Sequence, residues 1–171
     1  MSGTFSVALQ AILTSVRGQL RVTPTGWPDS AREYVVPGQL AWDECECGLL
    51  AIEWLSAPYS FGLPNTRQAL ADGCKPLLAL QIQVTVLRCA PSPGTHGEPP
   101  SPEALAAAAE TNLDDLEAVL IGTATAVKTL EETNVIVQYA LNAPTPAGPE
   151  GGCVGVVQQL FIGFPNRWGP C

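Results

Sequence analysis

Basic residues are scarce in this sequence: 8 Lys and Arg stand against 16 Asp and Glu in 171 residues, for a formal net charge of −8 and a pI near 4.5. A surface that grips nucleic-acid phosphates needs clustered Lys and Arg, and these are scattered, which excludes affinity for DNA or RNA driven by phosphate contacts. Histidine occurs once, as His96 in a proline-rich stretch, so imidazole-based metal sites and Cys-His nucleophiles have little to draw on. No apolar run approaches the ~20 residues of a membrane span. The opening "MSGTFSVALQAILTSVRG" lacks a basic n-region and a small-residue cleavage site, so no signal peptide is expected and synthesis in the cytoplasm is. G-x-S-x-G, the phosphate loop and G-x-G-x-x-G are all missing, which removes the anchors of acyl-transfer and nucleotide chemistry.

The six cysteines carry the chemistry that remains. "WDECECG" sets Cys45 and Cys47 one residue apart, the wrong spacing for the C-x₂-C turns that fold around zinc. In a strand the two would face the same side with Cα atoms about 6.6 Å apart, twice the rise per residue, whereas thiolates sharing an ion must converge. No C-x-x-C redox motif exists either. Neither a metal nor a cofactor is expected, and a reducing compartment favours free thiols.

At this length one domain spanning 1–171 is expected, with a core of its own. Phe5, Leu9, Ile12, Leu13, Val16 and Leu20 recur at spacings of three and four, which predicts an amphipathic helix. Residues 21–39, rich in proline and glycine, read as an irregular extension with short strand pieces. "CGLLAIEWLSAPY" predicts a strand from Cys47 to about Tyr59, buried on both faces. From Leu77 to Cys89, Leu78, Leu80, Ile82, Val84 and Val86 share one side and Gln81, Gln83 and Thr85 the other, so one face is expected in the core. Between these strands lies a long loop, 60–75, a candidate contact arm.

"APSPGTHGEPPSP" breaks the chain, and a helix opens with Ser101 as N-cap and Pro102 in the first turn, running to about Leu130. Leu105, Ala109, Leu113, Leu116 and Leu120 form its expected core face, opposite Glu103, Glu110, Asp114 and Glu117. Such an acidic row is ordinarily a solvated surface; the other readings are a subunit interface or a negative wall. A second hairpin follows, through "NAPTPAGPEGG" into a strand from about Cys153 to Phe164, and 165–171 form a short tail. The expected fold is α+β in helix-hairpin-helix-hairpin order, a small, mainly antiparallel sheet with helices packed on one face. Antiparallel pairing around the 60–75 loop would bring Cys47 beside Cys89, where the geometry allows a disulfide.

Four blocks in order, "CGLLAIEWLSAPYSFGLP", "GCKPLLALQIQVTVLRCAPSPG", "PPSPEALAAAAETNLDDLEAVL" and "GPEGGCVGVVQQLFIGF", resemble the tail terminator family of long-tailed (siphovirus) bacteriophages of actinobacteria, over roughly residues 40–165. The resemblance implies a virion protein without catalytic residues. It would form a ring, a hexamer in the family's pattern, that caps the major tail tube protein, ends tube polymerisation and meets the neck proteins of the head-tail connector. Such a ring sits at the tail-neck junction after assembly in the host cytoplasm, and phage DNA passes its lumen without specific binding; the acidic row Glu103, Glu110, Asp114 and Glu117 suits a ring interface or lumen face. Cys45, the proline-rich linkers and the tail "NRWGPC" depart from the family pattern. Two other readings stand beside it: a stopper or adaptor ring of the neck, and a small cytosolic thiol enzyme using Cys47 or Cys89 with His96.

Overall fold

A computed structural model describes residues 3–39, 48–60, 62–64, 77–93 and 97–165. It is α+β. Helix α1, Thr4–Val22, buries Ala8, Leu9, Ile12, Leu13, Val16 and Leu20, the stripe that its three-and-four spacing predicts. Helix α2, Pro102–Glu132, starts where Ser101 Oγ accepts the Ala104 N–H at 3.2 Å and Pro102 occupies the first turn. No helix among the described residues is long and apolar enough to cross a membrane.

The strands are β1 Arg32–Pro37, β2 Leu49–Ser56, β3 Tyr59–Ser60, β4 Leu77–Cys89, β5 Gln138–Leu141, β6 Thr145–Glu150 and β7 Cys153–Phe164. They form one mixed sheet of order β1-β2-β4-β7-β5, with β3 on β4 and β6 on β7. β4 runs antiparallel to both β2 and β7, Leu50 against Val86 and Val86 against Val156. Their alternate residues Leu50, Ile52, Ile82, Val84, Val86, Val156, Leu160 and Ile162 join the buried stripes of both helices in one core. Phe5 of α1 closes the core against Phe164, ring centroids 4.5 Å apart.

Three expectations need correction. The 21–39 extension contains β1, which pairs parallel to β2, so the sheet is mixed and the simple alternation of helices and hairpins is interrupted. The aromatic and β-branched run "YVV" outweighs the flanking breakers, and Pro37 is tolerated because β1 is an edge strand. Secondly, both faces of β4 are buried: Gln83 and Thr85 are nearly sealed from water. Burial is affordable there because polar groups satisfy one another across strands, with Gln83 Nε2 donating to Glu53 and Gln159 Nε2 donating to Gln83 Oε1. The third correction concerns α2. Leu105, Leu113 and Leu120 are 52%, 66% and 42% exposed, so the expected leucine core face is largely on the surface.

At the far edge, β6 "TPAGPE" carries Pro146 and Pro149 and is exposed along most of its length. The long loop 60–75 is described only at 60 and 62–64, and of the C-terminal tail only Pro165 is described.

Candidate functional site

The site grows from the way α2 divides at Asp115. Beyond that residue the helix packs through Ala118, Val119, Gly122, Thr123, Ala126, Val127 and Leu130. Small residues dominate the row because α1 crosses here: a Cβ on Gly122 would lie 2.7 Å from Val16 Cα. Ser15 Oγ donates to Gly122 O at 2.8 Å across the same crossing. Toward the sheet, the Thr123 hydroxyl lies 2.7 Å from Gln158 Oε1, and Gln158 Nε2 donates to Asn142 O at 2.8 Å. These bonds favour one rotation of the helix, although Thr123 Oγ1 also lies 2.8 Å from Val119 O within α2 itself.

Asp115 is the hinge between packed and exposed parts. Its carboxylate, 1% exposed, takes a two-pronged contact from Arg88 at the end of β4, Nε to Oδ2 at 2.6 Å and Nη2 to Oδ1 at 2.7 Å. Such a fork matches two parallel N–H donors to two oxygens. Nη2 also donates to Gly26 O, and the guanidinium lies 5.1 Å from the Trp27 ring centroid. Burial raises the Asp115 pKa; the Arg88 hydrogen bonds and charge oppose that rise, and Asp114 adds to it. A cleft of about 420 Å³ opens beside the pair, lined by Thr25, Cys89, Thr111 and Asn112 among others.

On the other side of Asp115 the helix is an arm. From Pro102 to Glu110 every residue except Ala108 is exposed, and Leu113 is the most exposed leucine of the helix. With about 100° between successive residues, Leu105, Leu113 and Leu120 fall within roughly 80° of one another, about a quarter turn from the buried sector. Glu103, Glu110, Asp114 and Glu117 lie roughly another quarter turn on. Glu103, Glu110 and Glu117 are exposed and Asp114 is half-buried, its Oδ2 accepting from Thr25 Oγ1 at 3.3 Å. The Glu103 carboxyl is held below its ordinary range, first by its own backbone N–H and then by Ser101. The structure therefore brings the four predicted acids together on one side of the arm.

The predicted Cys47–Cys89 contact cannot be followed, because Cys47, like Cys45 and His96, lies outside the described residues. Cys89 is exposed at the end of β4, and the residue in register opposite it is Cys153, buried at the start of β7 and disulfide-bonded. Sequence reasoning missed Cys153, Arg88 and Asp115. The one signal for Arg88 was a lone charge near the end of an otherwise uncharged strand. Among the described residues no three His, Cys, Asp or Glu side chains converge on a metal position.

No protein-family model matches this chain, and no curated protein does.

Proposed function

We propose that the chain is a structural virion protein, a tail terminator that assembles as a ring, a hexamer in the family's pattern, on the end of a phage tail tube. There it stops tube polymerisation and joins the tail to the neck. The observation that carries this reading is the face of α2 that holds Leu105, Leu113 and Leu120 toward solvent, a surface for another chain. Leaving such surface wet forgoes about 25 cal/mol for each Å² of apolar area, a cost recovered where another chain covers it. Four ordered sequence blocks support the same role, and an acidic subunit suits a ring through which DNA slides without sticking. In this reading the helices lie on one sheet face, leaving the arm projecting beside it as a contact element, and no residue is catalytic.

The test is a phage lacking this gene. Overlong tubes and unattached heads are the expected phenotype. Tubes of normal length would move the protein to a stopper or adaptor position in the neck, and hundreds of copies along the tube would sink both placements.

A further inference from the structure

We infer that the leucine row of the α2 arm is the docking site for a basic amphipathic helix of a different protein, and not for a second copy of this chain. The inference rests on the assembly reading only in supposing that another chain covers the arm.

The row has two flanks, and they decide what can lie on it. One flank is the buried sector that begins at Asp115 and Val119, which is occupied by the protein's own core. The other is the acidic row Glu103, Glu110, Asp114 and Glu117. An incoming helix therefore meets leucine beneath it and carboxylates along one side. The Glu103 pKa is lowered, which favours its charged form. Leu105 to Leu120 spans about 22 Å at 1.5 Å per residue, the length of a docked helix of about 15 residues. Apolar anchors at helical spacing, with Lys or Arg set to one side, complete both features together.

A second copy fits poorly. Two arms packed about a two-fold axis use the same patch on both sides, which in antiparallel contact sets each acidic flank against its own image, and in a ring the row meets another face of a neighbour that carries the same net charge of −8. Parallel contact would need the opposite flank, which the core fills from Asp115 onward, beside Leu120, and leaves open beside Leu105. Among the described residues the basic side chains that could relieve the repulsion are few: Arg17 is engaged by Glu33 at 3.0 Å, Arg88 by Asp115, and Lys128 lies 3.9 Å from Glu132, while Arg32 lies in β1 and Arg21 is exposed at the end of α1. The groove where α1 ends, lined by Val22 and Ile121, repeats the pattern of apolar residues beside Asp114 and Glu117. Both apolar surfaces on this side of the molecule thus ask for a positively charged partner.

The experiment uses the full chain and three synthetic 15-residue helical probes, built from leucine and lysine, from leucine and glutamate, and from serine and lysine with the charge of the first. Calorimetric titration at physiological salt should show saturable binding of the leucine-lysine probe. Binding should be at least tenfold weaker for each of the other two probes, and at least tenfold weaker to Leu113→Ser, whose fold is checked by its melting curve. Equal binding of the leucine-glutamate probe, or affinity within twofold for Leu113→Ser, overturns the proposal, because charge or leucine alone would then suffice. Light scattering gives the remaining arm. Oligomers that Leu113→Ser leaves intact fit the inference, whereas oligomers it disperses assign the row to a second copy and overturn the inference while the ring reading stands.

Discussion

Residues 102–114 and 115–132 of α2 belong to one unbroken helix and obey opposite rules. The packed half buries glycine, alanine, threonine and an aspartate beside Val119, Val127 and Leu130, while the arm exposes Leu105 and Leu113. Size explains the inversion. Where α1 crosses, the backbones approach so closely that only small side chains fit, and the space toward the sheet is filled by polar groups with fixed partners. Hydrophobic character alone predicts burial well only where there is room for a large residue.

The sharpest way to break the contrast is at its boundary. Asp115→Ala should destabilise the protein by about 3–5 kcal/mol in chemical denaturation, since it strands the Arg88 guanidinium in a mostly buried place. Asp115→Asn keeps the shape and tests the charge. Because burial raises the folded pKa above the ordinary 3.8, the folded state holds this proton more tightly than the unfolded chain. The contribution to stability is thus fully present below the unfolded pKa and is lost as pH rises through the folded value. Wild type should lose ground relative to Asp115→Asn as pH climbs from about 3.8 through the weakly acidic range; a difference constant with pH would refute the assignment.

Next in size is Gly122→Ala, where the new methyl meets the Val16 backbone and the helices must part, at a cost of about 1–3 kcal/mol in the same denaturation assay. Ser101→Ala should remove about 1 kcal/mol of local helix stability. Its effect should appear as faster hydrogen exchange in the first turns of the arm, with little movement of the global midpoint. Smallest is Leu113→Ser, expected within about 0.5 kcal/mol of wild type because the side chain already faces water. A loss of several kcal/mol there would mean the two halves are not different after all.

Much of the frame was legible from periodicity. The alternation in "LLALQIQVTVLRC" gives β4 its bounds, "CVGVVQQLFIGF" gives β7, and Ser101-Pro102 marks the start of α2. β1 was obscured by the prolines and glycines around it. The leucine face was misassigned because a sector plot ranks faces by hydrophobicity and knows nothing of where α1 lies. Arg88 and Asp115 are 27 residues apart on different elements, and no local pattern relates them. The polar ladder of Glu53, Gln83 and Gln159 looked like a wet face because its partners sit on three separate strands. Of the site, the acidic row could be read in advance, but its leucine neighbour could not.

The prolines at the two sheet edges bear on how copies of this protein grow in number. β6 lacks two main-chain donors, at Pro146 and Pro149, and β1 ends on Pro37. A strand without those donors is a poor template for the next molecule's backbone, so strand-by-strand growth is discouraged along β6 and at the end of β1, while β5 shares the far edge without a proline. Contacts made past β6 then fall to side chains, whose shapes can set a fixed number of members where a continuing ladder would set none.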